Sequence, residues 1–238
     1  MKLRERIPSP IKSALASLYY KVRKPSKYKS ELGFWKSRHE IDHGIFRNDH
    51  YKKIMLAMAQ ETDEGFLRGK IVADFGCGPR GSLRWIQGAM LKIGVDVLAD
   101  AYADHFKENV ISHEMIYVKS TEKVIPIPSN FVDVLFTLNA MDHTKDFGCM
   151  CQEVIRILKP GGSLIGSFNL EEPATPCEPL TLTEKIVQSN LLDFLEVKSY
   201  RLSAQGPESN QYGAFFEGKL GYTKGQRAYL WVTAKKKT

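Results

Sequence analysis

Short apolar runs separated by glycine turns dominate the middle of this chain. Lys70 to Phe75 reads as a buried parallel strand. Gly76, Gly78 and Gly81 crowd the turn after it, and Leu83, Trp85, Ile86, Ala89 and Met90 follow with helical spacing. A second run, Ile93 to Asp96, ends in an acid, and a third covers Val134 to Leu138. The stretch from Glu153 to Ser167 predicts a helix, a Pro-Gly-Gly stop and a new strand. Downstream the pattern predicts a strand at Ser163–Phe168, a loop at Asn169–Pro179, a helix at Leu182–Asp193 and a strand at Leu195–Leu202. A long polar loop then leads to a last strand at Ala228–Ala234. Upstream, Glu31–Glu40 and Asp49–Gln60 read as helices, with Gly44 and Asn48 between them. Strands alternating with helices predict a parallel α/β sheet.

The first 30 residues have a different character. Ser9 is placed to cap a helix and Pro10 to open it. Ile11, Ala14, Leu15, Leu18, Tyr19 and Val22 then form one apolar stripe. Residues 1–29 hold nine basic side chains and one acid, for a charge of +8, while the other residues sum to −1. The net +7 of the 238-residue chain therefore resides in this arm. A basic amphipathic helix suits an anionic membrane surface, although such a stripe also packs on a protein core, and its acid-poor composition imitates a transit peptide. The near-neutral remainder argues against a nucleic-acid partner, which would draw positive charge around the site. No apolar run is long enough for a transmembrane helix. Cys77, Cys149, Cys151 and Cys177 show neither metal-ligand spacing nor scaffold density, and read as reduced thiols in a cytoplasmic protein.

Strand, glycine turn and a second strand ending in an acid are the parts of a nucleotide site. The turn brings backbone close to a ligand, and the acid grips ribose hydroxyls. Gly76, Gly78 and Gly81 literally match the dinucleotide G-x-G-x-x-G pattern. Dehydrogenase logic, however, predicts neither Ile125-Pro-Ile-Pro128 before the fourth strand nor Leu158-Lys-Pro-Gly-Gly162 after the following helix.

Asp74-Phe-Gly-Cys-Gly78, Asp96, the segment Ile125-Pro-Ile-Pro-Ser-Asn-Phe-Val-Asp133 and Leu158-Lys-Pro-Gly-Gly162 stand in one order. Together they resemble the class I S-adenosylmethionine-dependent methyltransferases, methyltransferase type 11 group, over about residues 70–170. The resemblance implies a Rossmann-like, seven-stranded, mostly parallel sheet with helices on both faces and an N-terminal helical extension. It divides the chain into an arm at 1–30, a helical lid over the cofactor at 31–68 and the methyltransferase domain at 69–238. Pro79 and Arg80 depart from the usual G-x-G-x-G turn. The form Gly76-Cys-Gly-Pro-Arg-Gly-Ser-Leu83 resembles a bacterial subgroup associated with polysaccharide biosynthesis. The activity so implied is O-methylation of a sugar or glycan precursor of the cell surface. A small metabolite or quinone-like lipid is the alternative acceptor, and a non-catalytic cofactor-binding scaffold at a membrane is the non-enzyme alternative.

The resemblance also assigns residues. Asp74, Gly76, Cys77 and Gly78 surround the methionine portion of S-adenosylmethionine, with Cys77 as small filler. Asp96 holds the ribose, Val97 flanks the adenine, Thr121 and Glu122 meet its amino edge, and Asn139 lies beside the methyl donor. Trp35, Arg38, His50 and Tyr51 are lid candidates, with Arg38 placed to bind a carboxylate of cofactor or substrate. A hydroxyl acceptor attacks poorly while protonated, so a base is needed. His143, just past the fourth strand, fits that role, with Asp142 to orient it and Glu171 as a further acid–base candidate. Glu178 is a substrate-binding candidate. Residues 204–224 form a candidate second lid.

Two motifs mislead. His39-Glu-Ile-Asp-His43 matches the zinc-protease H-E-x-x-H, but too little chain precedes it for the supporting sheet and no third ligand follows, so no metal is expected. Asn139-Ala-Met-Asp142 lacks the Pro-Pro-aromatic run of amino-methylating DNA enzymes, and Pro176-Cys177 lacks the companion motifs of a cytosine-C5 enzyme.

Overall fold

The computed structural model describes residues 27–175 and 178–238, so the arm's stripe and Cys177 lie outside the described residues. Two helices come first, α1 (Lys27–Ile41) and α2 (Asp49–Ala59). The sheet then begins with β1 (Ile71–Phe75) and β2 (Leu91–Asp96), followed by α3 (Ala99–His105), α4 (Lys107–Ser112), β3 (Ile116–Lys119) and β4 (Val132–Leu138). The rest comprises α5 (Phe147–Ile157), β5 (Leu158–Leu170), α6 (Glu184–Asn190), β6 (Leu195–Ala204), α7 (Gly213–Glu217) and β7 (Ala228–Lys236).

The seven strands form one sheet in the order β3-β2-β1-β4-β5-β7-β6. The first five are parallel, and β7 inserts antiparallel between β5 and β6. Alternating residues feed two cores. Ala73, Leu135, Leu164, Leu230 and Val232 face α5 and α6. Val72, Val134, Phe136, Ile165, Tyr229 and Trp231 face α2, with its buried Met55 and Met58, and Phe215 of α7. Side-chain caps start both helices on the first face: Asp146 accepts from Cys149 N–H and Thr183 from Ile186 N–H.

Three local expectations are corrected. No helix follows the glycine turn, and residues 82–90 form turns only. Gly69 N–H donates to Gly88 O, and Met90 N–H donates to Lys70 O, so the end of the short crossover is tied back to the start of β1. The Pro160-Gly-Gly162 stop, in turn, lies inside β5. Its register against β4 jumps from Val132↔Leu158 to Val134↔Ser163, so the segment is a bulge, which accommodates a residue without an N–H donor. The first helix also runs through residue 30, from Lys27, and does not begin at a boundary there.

Candidate active site

A cleft opens at the carboxyl ends of β1, β2 and β4, where the strand order reverses direction, the place where open α/β sheets bind ligands. Phe75 and Gly76 line it from β1 and its turn, Val95, Asp96 and Val97 from β2, and Leu138, Asn139 and Ala140 from β4. Asp74, Cys77, Thr121, Glu122 and His143 line it as well.

The glycine turn is fixed by contacts a side chain would break. Gly76 has φ +72, and a Cβ there would overlap that of Ala140. Gly78 has φ +56, and a Cβ would lie 2.7 Å from the Trp35 ring. Cys77 is buried with its sulfur against Gly94. Asp96 clamps this turn: its Oδ2 accepts from Gly78 N–H at 3.0 Å and its Oδ1 from Leu98 N–H at 2.9 Å. Burial raises its pKa, against the downward pull of those two bonds. Asp74 is deeper. Its Oδ2 accepts from the Ser82 hydroxyl, while its Oδ1 is buried without a partner. Burial, with the neighbouring Asp96 charge adding to it and the Ser82 bond opposing it, pushes the Asp74 carboxyl up to about 7.

The far end of the cleft is covered by α1. Lys27, Glu31 and Trp35, spaced at i, i+4 and i+8, all line it. Lys27 and Tyr28 both donate to Glu122 Oε1, at 3.1 and 2.6 Å, and Glu122 Oε2 accepts from Lys145 N–H at 3.0 Å. Burial would raise the Glu122 pKa, but these bonds outweigh it and hold it low. Lys27 also reaches the carbonyl of His143. Glu31 has its pKa raised by burial and by Asp96. Sequence reasoning assigned Lys27 and Tyr28 to the arm and missed Glu31; their helical stripe with Trp35 was the available signal.

His143 ends a 3₁₀ turn, Met141–His143, after β4. Its Nε2 faces Glu178 Oε1 at 3.4 Å, and its Nδ1 is buried without a partner. Burial disfavours the imidazolium, yet contact with Glu178 and the charges of Asp142 and Glu31 prevail, and the His143 pKa is raised. Asp142 is buried, with Oδ1 unpartnered and its carboxyl pushed up to about 6, chiefly by desolvation. The ligating atoms of Asp142, His143 and Glu178 lie within 4.8 Å of one another.

Several assigned residues stand elsewhere. Arg38 is exposed on α1 with its guanidinium over Phe34, and does not line the cleft. Glu171 also lies outside the cleft lining, since its positive φ of 59° turns the chain away after β5. Glu178 contacts His143 and is the group that faces its ring, the place expected for Asp142. Thr121 accepts from the Lys123 and Val124 N–H groups and so shapes its own loop. Asn139, at φ +46, accepts from the Ser167 hydroxyl at 2.6 Å and donates to Tyr212, which brings the 204–224 segment to the cleft. That segment is also anchored by Phe215, stacked on Trp231 at 3.9 Å. In the zinc-protease decoy, the helix ends at Ile41 and His43 has φ 55, so His39 and His43 share no helical face. His39 sits between Phe46 and Phe106, and Asp42 pairs with Arg80.

Residues 73–166 match the family described as a methyltransferase domain. Over 123 residues the chain is 27% identical to the sterol 24-C-methyltransferase erg6 of Aspergillus fumigatus, a match covering 50% of this chain and 30% of that protein. Among solved structures, the fold is similar to an S-adenosylmethionine-dependent methyltransferase from Mesorhizobium loti (TM-score 0.55, 16% identity, 76% of this chain and 96% of that one). It is also similar to one from Aquifex aeolicus (0.52, 20%, 80% and 98%) and to the [4+2]-cyclase SpnF (0.57, 17%, 79% and 82%). The family match covers residues 73–166, the solved structures show the fold, and S-adenosylmethionine is the cofactor that such a domain implies. The cyclase neighbour shows that the fold alone does not dictate the reaction.

The cleft residues fit this cofactor. The unpartnered Asp74 oxygen suits an ammonium, the glycine turn permits close backbone approach, and each Asp96 oxygen keeps a lone pair for a ribose hydroxyl.

Proposed function

We propose that this chain, which carries a methyltransferase domain at residues 73–166, methylates a hydroxyl oxygen of a sugar or glycan precursor of the cell surface. The observation that carries the oxygen-transfer reading is the His143–Glu178 pair at the cleft. An imidazole with one nitrogen facing a carboxylate at 3.4 Å and the other without a partner is arranged as a general base. S-adenosylmethionine, when bound, supplies a methyl group already made electrophilic by its sulfonium. Asp74 and Asp96 hold its amino and ribose ends, and Trp35 and the Lys27–Glu122 latch exclude water. His143 Nδ1 takes the acceptor's proton as the hydroxyl attacks, and Glu178 stabilises the imidazolium that forms. The carboxylates of Glu31, Asp142 and Glu178 offer acceptors to a polyol and repel an anion. The glycine-turn form Gly76–Leu83 supports a polysaccharide setting through its resemblance.

A second reading, a lipid-like acceptor, is favoured by the sterol methyltransferase relative. Transfer of a tritiated methyl group to a panel of neutral sugars, lipid-linked oligosaccharides, quinones and sterols tests both. Labelling of the saccharides is expected. Labelling confined to quinones or sterols would replace the glycan reading with the lipid one.

A further inference from the structure

We infer that Arg80, in the Pro79-Arg80 pair that makes this glycine turn one residue longer than G-x-G-x-G, binds the carboxylate of the cofactor's methionine portion. The inference rests on the S-adenosylmethionine reading above. An adenosyl amino acid presents a zwitterion at the glycine turn. Asp74 answers the ammonium, and the carboxylate needs a cation. Lys27 is paired with Glu122 at the other end of the cleft, His143 faces Glu178, and Arg38 is turned outward. Arg80 follows Gly78 by two residues and stands behind Trp35, a lining residue, without itself lining the cleft. Its guanidinium lies 5.8 Å from the Trp35 ring, which itself touches Gly78. Its charge is felt at His50 and at Tyr51, whose pKa values it pulls down, and Tyr51 lines the cleft.

One arm of the fork is engaged: Nη2 donates to Asp42 Oδ2 at 3.1 Å. The Nε–H is buried and has no partner. A buried, unsatisfied N–H on a charged side chain is costly unless something completes it, and a carboxylate oxygen can accept from it. The pair Asp74 and Arg80 would then read both charges of an α-amino acid, with Trp35 as the plate over the guanidinium. The lengthened turn thus supplies the cation that Arg38 was expected to supply.

The rival role is mechanical: Arg80 joins α1, through Asp42 and Trp35, to the glycine turn. Calorimetry with two product-side ligands separates the roles. S-adenosylhomocysteine carries the amino acid, whereas 5′-methylthioadenosine has the same adenosine without it. The wild-type chain should bind the first more tightly. Arg80→Gln should weaken S-adenosylhomocysteine by about ten- to a hundredfold and leave methylthioadenosine unchanged, erasing most of the difference. Arg80→Lys, which keeps the charge but not the fork, should fall between them. Equal losses for both ligands in both variants would assign Arg80 to closure and overturn the inference, as would no loss for either. A wild-type chain that binds neither ligand overturns the cofactor reading and this inference with it. A wild-type chain that binds both equally overturns only the assignment of a carboxylate subsite.

Discussion

His143 and Asp74 have pKa values moved for opposite chemical ends. His143 must be neutral to accept a proton, so turnover on a hydroxyl acceptor should fall as pH drops through its pKa. Since Glu178, Asp142 and Glu31 raise that pKa, the acidic limb should lie above the ordinary histidine range. Glu178→Gln removes the raising charge in closest contact and should shift the limb to lower pH, a displacement that a merely structural contact would not give. His143→Ala should lower turnover by about 10²–10⁴-fold with S-adenosylmethionine affinity near wild type. Near-normal turnover in His143→Gln would reduce the residue to orienting the acceptor. Asp74 offers a stability test. Its folded pKa, about 7, lies above its ordinary value of 3.8, so the folded chain retains a proton that the unfolded chain releases. Stability from this group is complete below pH 4 and is lost as pH rises through about 7. Asp74→Asn should therefore melt higher than wild type at pH 8, by a margin on the order of 4 kcal/mol at most, and show no gain at pH 4. The same variant should bind S-adenosylmethionine more weakly, because the ammonium loses its counter-charge. Melting curves at the two pH values, without ligand, check the sign.

At the scale of elements, α1 has no fully buried residue, so its position depends on specific contacts more than on apolar packing. Its inner face meets the Phe46, Leu98, Tyr102 and Phe106 cluster through Tyr28, Leu32 and Trp35, and Lys27 and Tyr28 latch onto Glu122. Glu122→Gln removes the charge from both hydrogen bonds. The first turns of α1 should then open more readily, by about 1–2 kcal/mol or roughly 5–30-fold in amide exchange, while β1 and β4 stay protected. Unchanged exchange across residues 28–36 would show that the aromatic cluster alone holds the helix. The missing helix after β1 also belongs to this scale. The apolar spacing of Leu83, Trp85, Ile86 and Ala89 is helical, yet Leu83 and Ile86 are buried from a chain of turns. Periodicity reports which residues go inside, not whether a helix carries them there.

For the molecule as a whole, the charge is divided unevenly, +8 on residues 1–29 and −1 on the rest. The proposed membrane contact belongs to the +8 arm, whereas cleft lining begins at Lys27. Removing residues 1–26 should abolish sedimentation with anionic vesicles at low salt and leave cofactor affinity intact. Removing residues 1–29 should also weaken the cofactor, because the Lys27 and Tyr28 latch goes with it. A full-length chain that fails to sediment would end the membrane proposal. Among the described residues, no helix is long and apolar enough to cross a bilayer.

The strands, the glycine turn and the acid that ends β2 were legible in the sequence, whereas the strand order emerged only in the structure. Buried parallel strands declare themselves as apolar runs, Gly76 and Gly78 as positions without room for a Cβ, and Asp96 as an acid closing β2. The strands and the acid survive in one dimension as local patterns, and the glycines survive as residue types although the groups that crowd them, Ala140 and Trp35, lie far away in sequence. The partnerships across the cleft do not. Glu178 meets His143 across 35 positions of sequence, Lys27 meets Glu122 across 95, and Arg80 meets Asp42 across 38. Which carboxylate faces a histidine, and which arginine turns inward, depends on how the loops after β4 and β5 and the helix before β1 converge on one cleft. Residue spacing cannot encode that convergence, so tertiary packing, through burial and the fixed reach of each side chain, decided it.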